Sequence, residues 1–253
     1  MNRARLTRLA LIGGTGSAAL VAGRPVESLA LAAGRWGQAS APLLTWRTAT
    51  AEVLFLARHG HDGRIPPHRV NYRANIAALA ALEPDAVVGL NAVGGITPAA
   101  IPGRLAIPHQ LIDYSHGREH TFFDGGGEPL QHVEFDPPFD PALRAALLEA
   151  ACRARLDVLA HATYGCTQGP RLETAAEIDR LAADGCDLVG MTAMPEAALA
   201  REAGLAYAIC AVVVNPAAGR IPGGAGIHAE IARHLDMGFA AVQALLQEFG
   251  AAG

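Results

Sequence analysis

At 253 residues, 51% of them hydrophobic and 17% charged, the chain has apolar material for one large α/β domain or two small ones, and its composition excludes disorder. A net charge of −4 argues against nucleic acid as a main partner. All 20 Lys-plus-Arg positions are arginine, and a chain without lysine excludes Schiff-base chemistry, pyridoxal phosphate attachment and a P-loop.

In chain order, Arg3, Arg5 and Arg8 precede an apolar run, and Leu29-Ala30-Leu31-Ala32-Ala33 follows it, the outline of a secretory leader. Gly13-Gly14-Thr15-Gly16 interrupts that run where a leader needs unbroken helix, so Ala10–Ile12 is read as a first buried strand feeding a glycine turn. Further strands are predicted at Leu43–Thr48, Glu52–Ala57, Ala86–Ala92, Leu105–Pro108, Val158–Tyr164, Asp187–Met191 and Ala206–Val214. Helices are predicted at Val70–Leu82, Pro141–Arg155, Thr174–Asp184, Glu196–Ala203 and His228–Glu248. Gly125–Gly127 and Gly219–Gly226 read as surface loops. Cys152, Cys166, Cys186 and Cys210 lack CxxC spacing and sit in apolar surroundings, which points to reduced core residues of a cytoplasmic protein and to no metal site. No apolar stretch is long enough to cross a membrane, so no membrane partner is expected. No repeat or linker divides the chain, so residues 1–253 are read as a single domain: a mixed, mostly parallel sheet with helices on both faces.

Four predicted strands end in polar or glycine-rich segments, at the edge where open α/β sheets hold their ligands. The first opens into Gly13-Gly14-Thr15-Gly16-Ser17, whose N–H groups and hydroxyls suit an anion. Gly14, Gly16 and Ala19 also match a dinucleotide fingerprint loosely, but no acidic residue closes a second strand about 20 residues on, which leaves an NAD-dependent oxidoreductase as the weaker alternative. The second ends in Arg58-His59, a permanent cation beside a switchable donor. The third ends in Asn91-Ala92-Val93-Gly94-Gly95, and the fourth in Gly190-Met191-Thr192 ahead of Pro195 and Glu196, which start a helix. Thr192 offers a hydroxyl that either caps the helix or binds phosphate. Thr15, Arg58, His59, Asn91 with Ala92, and Thr192 together predict a convergent oxyanion site.

The same segments, with Val70-Asn71-Tyr72-Arg73-Ala74-Asn75-Ile76 and Gln168-Gly169-Pro170-Arg171-Leu172-Glu173-Thr174, carry a resemblance over roughly 10–248. The chain resembles the trimeric purine nucleoside phosphorylase and methylthioadenosine phosphorylase family. The resemblance implies a phosphorylase fold with a distorted, barrel-like sheet and a homotrimer. It implies no metal or organic cofactor, with orthophosphate as co-substrate and a purine nucleoside as partner. Carried over by position, Thr15, Arg58, His59, Asn91, Ala92 and Thr192 bind phosphate. Met191 packs on the ribose, and Leu172, Glu173, Asn215, Pro216 and Ala217 belong to the nucleoside side. Phosphate attacks C1′ of a cationic ribosyl centre and must be held rigidly beneath it, with Arg58 as a fork donor, while a donor at N7 helps the purine leave. Asn215, Glu173 and His59 are the catalytic candidates.

Adenine-specific members of that family place aspartates after the strand that here ends Val212-Val213-Val214, whereas this chain continues Asn215-Pro216-Ala217-Ala218. An asparagine amide donates to a 6-oxo group or N7, and Glu173 accepts from the N1–H that adenine lacks, so a 6-oxopurine is expected. The motifs are most similar to S-methyl-5′-thioinosine phosphorylases, which pair such a base site with an apolar 5′ pocket. His228 stands where phosphorylases binding a 5′-hydroxyl show histidine, which keeps inosine and guanosine as alternatives and methylthioadenosine behind them.

Overall fold

The computed structural model describes residues 6–126, 129–220 and 227–250, with the backbone alone at 227–230 and 232. In chain order the elements are β1 (Arg8–Gly13), β2 (Glu27–Leu29), β3 (Leu43–Arg47), β4 (Glu52–Ala57), α1 (Tyr72–Ala80), β5 (Ala86–Gly95), β6 (Leu105–Ala106) and β7 (Gln110–Asp113). They continue with α2 (Pro141–Arg153), β8 (Val158–Leu159), β9 (Thr163–Cys166), α3 (Ala175–Ala183), β10 (Leu188–Gly190), α4 (Glu196–Glu202), β11 (Tyr207–Pro216) and α5 (Ile227–Phe249). No described helix is long and apolar enough to cross a membrane.

All these strands join one mixed sheet in which most pairings are parallel. β5 is its hub. Ala86–Leu90 pairs with β1, Gly94 and Gly95 pair antiparallel with β10, and β11 runs parallel to nearly the whole of β5. The sheet therefore branches at β5, one arm passing through β1, β4, β3 and β2, another through β10, β9 and β7, and a third through β11, β6 and β8. Among the described residues no pairing joins the arms into a closed barrel.

Alternation along the strands explains the layers. In β1, Leu9 and Leu11 join one core cluster while Ala10 and Ile12 join the other, all of them fully buried. The first cluster receives Leu147 of α2 and Val242 and Leu245 of α5; the second receives Ile76 and Leu79 of α1 and Leu199 of α4. An apolar run buried on both faces is what a central parallel strand requires. Local capping fixes where helices start. Asn71 caps α1 through Ala74 N–H (3.1 Å), and Asp140 caps α2 through Leu143 N–H (2.7 Å) with Pro141 following. Thr174 and Glu177 form a reciprocal capping box at α3, in a motif worth about 1 kcal/mol.

Two expectations are corrected. The predicted strand Val158–Tyr164 is two strands on different arms, β8 against β6 and β9 against β10 and β7, because Ala162 C=O turns to accept from His109 N–H (3.0 Å). Cys152 is exposed on α2, whereas Cys166, Cys186 and Cys210 are buried. Burial pushes the Cys166 and Cys210 thiols up to about 12, which leaves them inert. β2 and β7 are short edge strands, β2 wholly exposed and β7 mostly half-buried, too brief for the alternation that marks a strand in the sequence. Of the predicted loop Gly219–Gly226, residues 221–226 lie outside the described residues, as does Gly127 of Gly125–Gly127.

Candidate active site

The ends of β1, β4, β5 and β10 surround one cleft of about 410 Å3. Of the predicted residues, Thr15, Arg58, His59, Ala92, Leu172, Glu173, Met191, Thr192, Asn215 and Ala217 all line it. Two do not. Pro216 lies behind the wall, and Asn91 turns its side chain into the core, 1% exposed. The side chain of His228 lies outside the described residues; its backbone is in the first turn of α5, and Ile231, three residues along the same helix, lines the cleft.

The anion end is built from β-strand termini and short turns. Asn91 Nδ2 donates to Thr192 Oγ1 at 2.7 Å, so the Thr192 hydroxyl hydrogen is left for the cleft. Thr192 is not a helix cap: α4 is preceded by Pro195 with no side-chain capping bond. The Arg58 guanidinium is wholly buried, and its fork faces Glu196 rather than the cleft. Nε donates to Glu196 Oε2 at 2.7 Å and Nη2 to Oε1 at 2.8 Å. Burial would lower the Arg58 pKa, but the charge and hydrogen bonds of Glu196 more than reverse this, so it stays above its ordinary value. The expected fork donor to phosphate is thus already occupied by a carboxylate.

His59 Nδ1 lies 2.8 Å from the Ile65 carbonyl oxygen, which can only accept, so Nδ1 carries the proton. Burial, then the neighbouring Arg58 charge, holds the ring below its ordinary pKa of 6.5 and therefore neutral at pH 7. Nε2 is then an acceptor, not the switchable donor expected from residue type alone.

Elsewhere on the cleft Thr167 Oγ1 donates to Glu173 Oε1 at 2.6 Å, fixing a carboxylate that is the only acidic group lining the cleft among the described residues. Asn215 reaches the same cleft through a β-bulge. Val213 pairs with Val93 and Asn215 with Gly94, leaving Val214 as the extra residue. Successive strand residues normally face opposite ways; the bulge lets both Val214 and Asn215 line the cleft. Asn215 Nδ2 donates to Pro216 C=O at 2.6 Å, which leaves one amide hydrogen for a ligand. Met191, Val189, Val93 and Ile231 give the same cleft an apolar wall.

Several supporting residues carried no sequence signal. Arg118, 9% exposed, donates to the carbonyls of Met191 (2.9 Å), Thr167 (3.1 Å) and Gln168 (2.8 Å), tying the two segments that present Thr192 and Glu173. Tyr207 donates to Glu196 Oε1 at 2.7 Å. Tyr164 fills the space beside Gly190, where any Cβ would come within 2.0 Å of its hydroxyl. Glu196 looks in the sequence like an ordinary helix start, and only the structure shows it wholly buried.

A cleft lined by strand-end hydroxyls, apolar side chains, a carboxylate and an amide fits a phosphorylase acting on a nucleoside, and the family model for the phosphorylase superfamily matches residues 8–250. A probable S-methyl-5′-thioinosine phosphorylase of Pseudomonas syringae pv. tomato is 50% identical over 215 residues, covering 85% of this chain and 87% of that protein. A 6-oxopurine nucleoside phosphorylase of Pyrococcus furiosus is 41% identical over 219 residues, covering 85% and 81%. Among solved structures, methylthioadenosine phosphorylase from Schistosoma mansoni in complex with adenine superposes with a TM-score of 0.89 at 28% identity, covering 97% of this chain and 91% of that one. The chain belongs to the phosphorylase superfamily. It is a pentosyltransferase of the nucleoside phosphorylase type.

Proposed function

We propose that the protein cleaves a 6-oxopurine nucleoside by phosphorolysis, with S-methyl-5′-thioinosine as its substrate and hypoxanthine and S-methyl-5-thioribose 1-phosphate as products. The observation that carries the base assignment is that Glu173 and Asn215 line the same cleft, with Glu173 its sole described acid. Glu173 Oε2, its partner oxygen being bonded to Thr167, accepts from N1–H; the Asn215 amide donates to O6 or N7. Adenine offers a lone pair at N1 and faces the carboxylate unfavourably. The 50% identical relative bears the name of a probable S-methyl-5′-thioinosine phosphorylase, and the apolar wall of Val189, Met191 and Ile231 suits a methylthio group.

In this reading orthophosphate, held by the Thr15 and Thr192 hydroxyls, the Ala92 segment and Arg58, attacks C1′. The N-glycosidic bond breaks, its electron pair passes to the purine, and the donor at N7 stabilises the leaving base. His59, with Nε2 as acceptor, receives a hydrogen bond from a phosphate or ribose hydroxyl. The reading needs no metal or organic cofactor, and it places the enzyme in the cytoplasm as a homotrimer.

The test is phosphate-dependent release of free base from methylthioinosine, inosine and methylthioadenosine, each compared by kcat/KM. Preference for methylthioinosine supports the reading. Equal cleavage of methylthioadenosine defeats the base assignment, and preference for inosine defeats the 5′ assignment in favour of an inosine or guanosine phosphorylase, as the 6-oxopurine relative suggests.

A further inference from the structure

We infer that Glu196 is a positioning residue for phosphate: it takes up the fork of Arg58 so that a single N–H, on Nη1, is presented beside the Gly14 turn. The inference rests on the cleft being a phosphate site, and it assigns that site a residue which never touches the ligand.

The argument is a donor count. A guanidinium has five N–H groups. Nε gives one to Glu196 Oε2, and Nη2 gives its two to Glu196 Oε1 and to Ile12 C=O, the latter at 3.2 Å. Nη1 gives one to Leu90 C=O at 3.3 Å, which leaves one. Gly14 and Arg58 both border the cleft, and the missing side chain of Gly14 clears Nη1, from which a Cβ there would stand 2.9 Å. Arg58 and Glu196 have side-chain exposures of 0% and 1%, so neither can swing to another geometry without opening the core.

Glu196 is itself held. Tyr207 donates to Oε1 at 2.7 Å, and Gly89 makes room, since a Cβ there would stand 3.1 Å from Oε1 and 2.4 Å from the Tyr207 hydroxyl. Because α4 begins at Glu196, four residues beyond Thr192, one short segment supplies both the hydroxyl that faces the anion and the carboxylate that aims the arginine. The buried pair is neutral as a unit.

The test compares Glu196→Gln, Glu196→Asp and Tyr207→Phe with the unaltered protein, first by the thermal shift produced by inorganic phosphate alone. Glu196→Gln and Glu196→Asp are expected to raise the phosphate concentration for half-maximal shift by about tenfold, since the aim of a charge-assisted donor is lost in both. In steady state the phosphate KM rises likewise while the nucleoside KM stays within about twofold. Tyr207→Phe, which removes only the third member, is expected to give a smaller rise in the same direction and keeps the question open to measurement if the Glu196 variants do not fold. Folded variants with unaltered phosphate dependence, or a parallel rise of both KM values, overturn the inference, as does rescue by aspartate to the unaltered value. The phosphate titration contains no nucleoside, so failure of the 6-oxopurine assignment would not affect it, whereas absence of any phosphate shift in the unaltered protein overturns the inference itself.

Discussion

Asn91 and Thr192, 101 residues apart, meet at 2.7 Å with the asparagine amide donating and the threonine hydroxyl accepting. This polarity decides what the cleft receives. A hydroxyl that accepts from behind has its own hydrogen free in front, so an asparagine that never lines the cleft sets the direction of a donor that does.

Asn91→Asp is expected to reverse that bond with almost no change in shape. The aspartate can only accept when ionised, so the Thr192 hydrogen turns inward and the anion loses a donor. A hydrogen bond to a charged group is worth about 1.5–3 kcal/mol, which corresponds to a loss of roughly 10- to 150-fold in kcat/KM for phosphate. Steady-state kinetics at varied phosphate, with circular dichroism to establish folding, checks this. An unaltered phosphate dependence means that Thr192 does not face the anion.

Base preference should be movable from two positions. Asn215→Asp with Glu173→Ser removes the N1–H acceptor and replaces the amide, so the ratio of 6-oxopurine to 6-aminopurine cleavage is expected to fall by at least about 2 kcal/mol, or some 30-fold. Competition between methylthioinosine and methylthioadenosine reads the ratio directly. A ratio that stays the same would place the base elsewhere in the cleft.

His59 supplies a pH dependence with a defined sign. Its folded pKa lies below the ordinary 6.5, so the unfolded chain binds the proton first as pH falls. The contribution of the neutral ring is fully present above 6.5 and is lost as pH drops toward the folded value. Urea unfolding at pH 7.5 and 5.5 should show a smaller acid-side loss of stability in His59→Asn than in the unaltered protein. An equal loss in both assigns the slope to other groups.

Arg118→Ala tests the tie between the two halves of the cleft. It leaves the part-buried carbonyls of Met191, Thr167 and Gln168, and the buried carbonyl of Met194, without their shared donor. At about 1–3 kcal/mol for a buried unsatisfied group, with water able to serve the part-buried carbonyls, a loss of about 1–3 kcal/mol in stability is expected. Because the segments carrying Glu173 and Thr192 both slacken, the KM values for nucleoside and phosphate should rise together, in contrast to the selective effect expected at Glu196. Chemical denaturation and two-substrate kinetics decide it.

What the linear chain determined by itself was local. Glu52–Ala57 is a strand over the residues expected, Pro141 opens α2, and Thr174 with Glu177 marks the start of α3, because apolar alternation, proline and capping pairs act between near neighbours. The strand-end motifs also put Thr15, Arg58, His59 and Thr192 on one cleft, to which the family resemblance added Glu173 and Asn215; the parallel β1, β4 and β5 end on one side of the sheet, and β10 meets those ends by running antiparallel to β5. Which way those side chains turn was a matter for the tertiary structure alone. Arg58 spends its fork on Glu196, 138 residues away, and His59 spends its only proton on Ile65 C=O. Asn91 faces inward, and Asn215 faces the cleft only because Val214 bulges out of register with β5. Residue type states what a side chain can donate or accept, and only the folded neighbours state which of those bonds has already been made.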